Sequence, residues 1–293
     1  MSWLTALILG IVQGLTELLP VSSSGHLVLF EKLLGVDLKD VSFEISVHVA
    51  TALALCFVLR RELWLMLRSI LPNGLAEPKG AQVGKTQVEG SRVKDLQRRV
   101  LAGEKRKGRL IILAVIIGSI PAALLGVGAQ SQIEATFHGA RLTLTMLPIT
   151  GVFLILTKWA KDKGRSPSAL RALVVGVAQA IAILPGISRS GLTVGTGLLL
   201  GITKEEAVKF SFLLSIPAIG GAAVLKLLKG SGGVSELGAS IGAQNLAIAA
   251  VVAFFSALVA AKALLGVVRR GKLDYFGYYC LVVGLLGLLL LTH

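Results

Sequence analysis

The sequence predicts an all-α integral membrane protein made of two inverted-topology repeats. Composition is the first reason: 54% of the residues are hydrophobic and 16% are charged, and several apolar runs could cross a hydrocarbon slab of about 30 Å. The second reason is that QGLTELLPVSSSG, from Gln13, returns without a gap as QAIAILPGISRSG, from Gln179. A polar segment broken by glycine and proline that occurs twice in apolar sequence is typical of membrane proteins with a binding site between two repeats.

The first repeat is predicted over residues 1–158. Its leading apolar stretch, 1–34, is interrupted by the repeated segment and has to return to the side on which it starts, so it is predicted to be a re-entrant hairpin. A basic loop, 61–109, is predicted on the cytoplasmic side. The three spans of this half are then residues 42–60, 110–129 and 142–158.

The second repeat is predicted over residues 172–293 and has the same plan. A re-entrant hairpin over 172–201 precedes three spans, at residues 206–228, 246–268 and 273–292. Three spans in the first half invert the second half relative to it. Non-helical backbone is tolerated at membrane depth only where it is buried in protein or lines a wet cavity, so both hairpin tips are expected to face one cavity.

Positive charge sets the expected orientation. The net charge is +14, and lysine and arginine concentrate in residues 60–109, 158–171 and 269–272, which flank apolar spans. By the positive-inside rule these segments lie in the cytoplasm, and the first hairpin enters from outside. Residues 72–108 are expected to be a flexible linker. Nucleic acid is excluded as a partner because neither aromatic residues nor a folded basic face accompanies these charges.

The first hairpin tip carries groups suited to a cation and to anionic oxygen. Gln13 and Glu17 are four residues apart, hence on one face of a helix, where an amide oxygen and a carboxylate could share a hard cation. The break at Pro20 then exposes backbone amides beside the hydroxyls of Ser22, Ser23 and Ser24. His26 follows as a candidate acid, base or nucleophile.

The second tip is suited to an anion. Arg189 is always charged, and its planar fork matches phosphate oxygens. The following helix start adds its positive end, and hydroxyls come from Ser188, Ser190 and Thr193. One tip that holds a cation and another that holds an anion are what a metal-bound phosphate requires.

Structural interpretations compete with these assignments. Each serine, taken singly, could only bond a backbone carbonyl one turn back. A charge at bilayer depth costs a few kcal/mol, which favours a functional role for Glu17 and Arg189, although a purely structural ion pair between them stays open. Glu44 and His48, four residues apart, are interpreted as supporting groups and not as site residues.

QGLTELLPVSSSGH and PGISRSGLT closely resemble the signatures of the undecaprenyl-diphosphate phosphatases, the bacitracin-resistance membrane phosphatases of bacteria. The likeness covers essentially the whole chain, including FEISVHVATALA and FSFLLSIPAI. It implies hydrolysis of a lipid carrier diphosphate to its monophosphate at the outer face of the bacterial inner membrane, with a divalent cation, Mg²⁺ or Ca²⁺. That reaction would recycle the carrier for peptidoglycan synthesis and confer bacitracin resistance.

The resemblance also places the family's functional residues on this chain. Its acidic pair falls on Gln13 and Glu17, its histidine on His26, its loop serines on Ser22 and Ser23, and its phosphate-binding set on Ser188, Arg189, Ser190 and Thr193. The partners implied are a polyprenyl diphosphate and membrane lipid. The oligomeric state is left open, a homodimer included.

Two mechanisms fit these parts. In one, His26 or Ser23 attacks the terminal phosphorus, and the phosphoenzyme is later hydrolysed. In the other, a metal at Gln13 and Glu17 activates water while His26 serves as acid or base. His26 is the preferred nucleophile unless the serine has a base beside it. The rival functions are a polyprenyl-phosphate flippase, which needs only a headgroup clamp, and a membrane scaffold.

Overall fold

The computed structural model describes residues 1–36, 41–71, 87–128, 140–229 and 241–292, and these residues are almost entirely helical. No β-strand occurs within those ranges; one isolated bridge joins Arg165 and Ile202. A 3₁₀ turn covers Thr157–Trp159. The helices are α1 Trp3–Leu18, α2 Ser23–Leu34, α3 Val41–Val58, α4 Arg60–Ile70, α5 Gln87–Gly128, α6 Ala140–Leu156, α7 Ala169–Ile181, α8 Arg189–Leu199, α9 Lys204–Lys229, α10 Ala243–Arg269 and α11 Asp274–Thr292.

The described helices include four that are long and apolar enough to cross a membrane: Val100–Gly128, Ala140–Trp159, Lys204–Leu225 and Ala243–Arg269. The pair α3 and α4 also passes this test, but it bends by 75° at the break between them. The helices α1, α7 and most of α11 are apolar and shorter. The prediction of an all-helical membrane protein is thus confirmed, whereas re-entry of the two hairpins and inversion of the halves stay predictions.

Each copy of the repeated segment forms a helix, a break and a second helix. In the first copy α1 ends at Leu18, two residues before Pro20, and Ser22 caps α2 with its side chain accepting from the Gly25 amide. Ser22 has a φ of 65°, in the left-handed region that non-glycine residues rarely adopt. In the second copy Gly186 has a positive φ, and Ser188 caps α8. The two caps occupy equivalent positions of the repeat.

The first helix of each break packs on a long helix of the other half. Helix α1 lies along α10, and α7 lies along α5. Glycine makes both contacts close: a Cβ added at Gly10 would lie 2.6 Å from the Ala249 carbonyl oxygen, and one at Gly176 would collide with the backbone of Gly118. The halves therefore interlock instead of lying side by side.

A hydrophobic core supports the first break. It contains Leu18, Val21, Leu55, Phe212 and Leu264, each at most 3% exposed. These residues come from α1, its break, α3, α9 and α10, so four helices hold the turn that carries the serine cluster. Close packing of this kind limits movement of the backbone at the break.

The predicted basic loop 61–109 is different in the structure. Arg60–Ile70 forms α4, and α5 begins at Gln87, well before the apolar part of that helix; residues 72–86 lie outside the described residues. The two helices pack together, and Arg109 donates to the Ser69 carbonyl oxygen at 3.1 Å. The high charge of this stretch predicts a solvated, flexible linker, and for residues 87–108 that prediction is wrong, because they form a helix. Much of the stretch consists of the good helix formers Leu, Ala, Glu, Lys, Arg and Gln.

Ion pairs join basic segments at one end of the bundle. Lys209 pairs with Glu62 at 2.9 Å and with Glu205 at 3.0 Å, and Arg269 pairs with Glu205 at 2.9 Å. The groups belong to α4, α9 and α10. Segments that are far apart in the sequence thus present their charge on the same side of the molecule.

Candidate active site at the two helix breaks

Glu17 is the centre of the site. Its carboxylate accepts hydrogen bonds at Oε2 from Gln13 Nε2 at 3.0 Å and from Ser23 Oγ at 2.6 Å. Its other oxygen, Oε1, forms an ion pair with Arg189 Nη2. Glu17 is 8% exposed. The two copies of the repeated segment therefore meet, as the sequence led us to expect, and the ion pair that the sequence left open as an alternative is one of their contacts.

These contacts explain how the chain keeps a carboxylate in an apolar surrounding. A buried charge is costly unless it is paired and its remaining lone pairs are hydrogen-bonded. Gln13 lies four residues before Glu17 on α1, so its amide reaches the carboxylate along the helix face. Arg189 stands at the first turn of α8, beyond the second break. Gln13 lies on the helix that leads into the first break, and Ser23 and Arg189 directly follow the first and the second break.

His48 is a further neighbour of Glu17, and the sequence interpretation gave it only a supporting role. Its Nε2 lies 3.4 Å from Glu17 Oε2, and its Nδ1 makes a 2.8 Å hydrogen bond with the Glu44 carbonyl oxygen. The signal was present as a histidine in an apolar helix, which is unusual without a partner. Its partner could not be identified, because α3 is separate in sequence from both motifs.

The serines of the first tip divide between two tasks. Ser23 faces Glu17, whereas Ser24 accepts a 3.0 Å hydrogen bond from the Gly186 amide and so ties the two breaks together. Ser22 is 3% exposed, and its hydroxyl lies 3.2 Å from that of Ser24. Among these three residues only the Ser23 hydroxyl contacts the carboxylate.

The hydroxyls of the second tip are bonded to other protein groups. Ser190 donates to the Leu19 carbonyl oxygen at 3.0 Å, and Thr193 lies 2.6 Å from the Ser211 hydroxyl while it also donates to the Arg189 carbonyl oxygen. Ser188 caps α8. These buried groups hold Arg189 and its helix in place; their predicted role in binding phosphate stays a prediction.

His26 lies one turn after the serine cluster, and both of its ring nitrogens are occupied. Nδ1 makes a 2.8 Å hydrogen bond with the Ser22 carbonyl oxygen, and Nε2 makes one of 2.8 Å with the Tyr279 hydroxyl. The two rings are nearly parallel, with 6° between their planes. Tyr279 was not identified from the sequence, because it lies 253 residues away in an aromatic stretch without a motif.

Two observations bear on a cation. Gln13 Oε1 is buried and has no hydrogen-bond partner among the described residues, while Nε2 of the same amide donates to Glu17. Within the described ranges no group of three or more His, Cys, Asp or Glu residues could hold a metal. Any cation here would therefore be held by few protein ligands, as is usual for Mg²⁺ in phosphate chemistry.

Comparison with known proteins identifies the family of this chain. Residues 6–286 match the family described as Bacitracin resistance protein BacA. The undecaprenyl-diphosphatase of Korarchaeum cryptofilum (strain OPF8) is 40% identical over 282 residues, with 96% of both chains covered. The undecaprenyl-diphosphatase of Salinibacter ruber is 38% identical over 302 residues, with 99% of this chain and 100% of the relative covered. This chain therefore belongs to the BacA family of bacitracin resistance proteins.

Proposed function

We propose that this chain hydrolyses undecaprenyl diphosphate to undecaprenyl phosphate and inorganic phosphate. The observation that carries the proposal is the contact of Glu17 with Arg189, which joins the first hairpin tip, suited to a cation, to the second tip, suited to an anion. The relatives named undecaprenyl-diphosphatase match nearly the full length of the chain. The product would re-enter cell-wall synthesis as lipid carrier, and its supply would confer resistance to bacitracin.

Arg189 is the proposed clamp for the diphosphate. Its guanidinium can hold phosphate oxygens bidentately, and it is the residue that starts α8, where the free amides and the positive helix end also favour an anion. Substrate would then compete with Glu17 for Arg189. The exchange of one anion for another keeps Arg189 paired and leaves Glu17 with Gln13, Ser23 and His48.

Ser23 is the proposed nucleophile. A serine needs a base beside it, and the Ser23 hydroxyl already donates to Glu17 Oε2 at 2.6 Å. Attack would form a bond from Ser23 Oγ to the terminal phosphorus, pass the hydroxyl proton to Glu17, and break the phosphorus–oxygen bond to the lipid monophosphate, which leaves with the electron pair. His26 is not the nucleophile in this proposal, because its ring nitrogens are hydrogen-bonded to the Ser22 carbonyl oxygen and the Tyr279 hydroxyl.

A divalent cation, Mg²⁺ or Ca²⁺, is proposed to bind at Gln13 and Glu17. The residues fit such an ion, since the unpartnered Gln13 oxygen and the carboxylate are the hard oxygen ligands that it prefers. When bound, the ion would neutralise charge on the diphosphate. Gln13 and Glu17 would be the residues that hold the ion at the site.

The site is proposed to open to the outer face of the membrane, between two inverted repeats. The gathering of the α4, α9 and α10 charges at one end supports the orientation. The reciprocal packing of α1 on α10 and of α7 on α5 supports the inverted repeat, because each half uses equivalent helices for the same contact.

Phosphate release by purified protein tests the proposal. We expect release from a prenyl diphosphate in detergent, dependent on Mg²⁺ or Ca²⁺, and lost on the order of a thousandfold in Ser23→Ala. Ser119→Ala is the matched control, because Ser119 only donates to the Val115 carbonyl oxygen one turn back. Wild-type protein that moves lipid phosphate across vesicles without phosphate release would refute the proposal in favour of a carrier.

A further inference from the structure

The His26–Tyr279 contact has a defined direction. A carbonyl oxygen only accepts, so the Nδ1 bonded to Ser22 carries the ring hydrogen. In the neutral imidazole Nε2 is then the acceptor, and the Tyr279 hydroxyl donates to it at 2.8 Å. Among the described residues, the basic nitrogen of His26 therefore points at the Tyr279 hydroxyl.

The two residues differ in how much of their surface is exposed. His26 is 4% exposed, whereas Tyr279 is 45% exposed. Within the part of the chain that the structure describes, the Tyr279 hydroxyl is thus the group that links His26 to the outside of the helix packing. Ser23 lies three residues before His26 on α2, and residues three apart are neighbours on a helix surface. Ser23 and the His26–Tyr279 pair therefore belong to the same end of α2.

The position of Tyr279 is set by rigid packing. Two residues earlier, Gly277 lets α11 approach α6 so closely that an added Cβ would lie 2.6 Å from the Gly151 carbonyl oxygen. One residue later, the Cys280 thiol lies 3.6 Å from the Pro20 carbonyl oxygen, at the first break. The tyrosine is thus fixed both to the helix pair and to the tip that carries the serines.

We propose that Tyr279 is a proton relay to His26 in the second half of the reaction, the hydrolysis of a phosphoserine at Ser23. This inference rests on the phosphatase function and on Ser23 as its nucleophile. Water gives a proton to the Tyr279 oxygen while the tyrosine proton passes to His26 Nε2. The hydroxide forms the new bond to phosphorus, the bond from phosphorus to Ser23 Oγ breaks, and Ser23 regains its proton from Glu17. Inorganic phosphate leaves, and the proton on His26 passes through Tyr279 to water, which restores the starting state.

This role predicts a kinetic signature that a structural role would not give. Tyr279→Phe keeps the ring and removes the hydroxyl, so formation of the phosphoserine is unchanged while its hydrolysis slows. We expect kcat to fall on the order of a hundredfold, with kcat/KM unchanged within about twofold, because kcat/KM reports only the steps through release of the lipid monophosphate. Tyr278→Phe, next to it on α11 and 48% exposed, is the matched control.

Direct detection of the intermediate completes the test. With label in the terminal phosphate and an acid quench, label should accumulate on Tyr279→Phe and not on Ser23→Ala. His26→Ala should show the same split of kcat from kcat/KM, and Tyr279→Phe should cost nothing further in that background. A Tyr279→Phe enzyme that keeps wild-type kcat, or that loses kcat and kcat/KM equally without label on the protein, would overturn the relay. Absence of phosphate release by wild-type protein would instead overturn the proposed function.

Discussion

At the scale of single residues the site is organised by competition for one carboxylate. Gln13, Ser23, Arg189 and His48 all approach Glu17. Removal of one donor therefore moves the Glu17 carboxylate and also removes a contact to it. Suitable variants can then separate the effect on protein stability from the effect on turnover.

Arg189 allows such a separation. Arg189→Ala leaves a buried carboxylate without its ionic partner, which costs about 3–5 kcal/mol of stability. Arg189→Lys keeps the charge but loses the planar fork, so the protein should stay folded with turnover reduced on the order of a hundredfold. Thermal unfolding in detergent and steady-state kinetics measure the two effects.

A second change tests the cause of the instability. Glu17→Gln in the Arg189→Ala background removes the unpaired charge, so it should restore the unfolding temperature but not the activity. Arg171→Ala is the control, because Arg171 only donates to the Ser166 carbonyl oxygen at the surface. Near-wild-type turnover in Arg189→Ala would leave Arg189 with a structural role alone.

His48 is expected to position Glu17 for Ser23. His48→Leu removes a contact to a charged group, which is worth about 1.5–3 kcal/mol, so kcat/KM should fall on the order of tenfold or more. His48→Gln offers an amide N–H in place of the ring and should recover much of the loss. Val49→Ala, the next residue on α3, serves as the control. If the leucine and glutamine variants behave alike, the histidine has no such role.

At the scale of helices, the contact of α1 with α10 depends on small residues. Gly14 faces the backbone of Ala253 so closely that a methyl group would collide with it. Gly14→Ala should therefore force the helices apart and cost about 1–3 kcal/mol, with activity lost because α1 carries Gln13 and Glu17. Gly103→Ala on α5, where nothing lies within 4 Å, is the matched control and should be neutral or slightly stabilising. Equal unfolding temperatures for both variants would contradict this packing argument.

The sequence predicted those elements whose signal is local. Repetition of the motif located both breaks, and the spacing of Gln13 and Glu17 predicted their shared face. Apolar length predicted most of the spans. The bend between α3 and α4 escaped prediction, because Leu59, the residue at the break, is neither proline nor glycine.

Contacts between distant helices could not be predicted in the same way. Tyr279 meets His26 across 253 residues, and a tyrosine near the end of an apolar helix is equally typical of a membrane interface. His48 had no motif around it that pointed to Glu17. In both cases the partner is selected by the packing of whole helices, which the local pattern does not contain.

At the scale of the whole molecule, charge at one end of the bundle makes the orientation testable. In a chain with Cys56 and Cys280 replaced by alanine, single cysteines at Gly103 and Lys161 should be shielded from an impermeant thiol reagent applied outside. A cysteine at Lys32, an exposed residue at the end of the first hairpin, should react. The reverse labelling pattern would place the site on the cytoplasmic face.

The ion pair between Glu17 and Arg189 also constrains biogenesis. The two residues are 172 positions apart, so at about 5–20 residues per second a nascent chain waits roughly 10–30 s before Arg189 is made. During that time Glu17 has only the hydrogen-bond donors of its own half. A charge in lipid without its counter-ion destabilises the inserted half and makes it a substrate for quality-control proteases. We expect a fragment of residues 1–158 to be degraded quickly in a pulse-chase experiment and Glu17→Gln to prolong its lifetime; equal lifetimes would mean that the newly inserted half shelters its carboxylate without help.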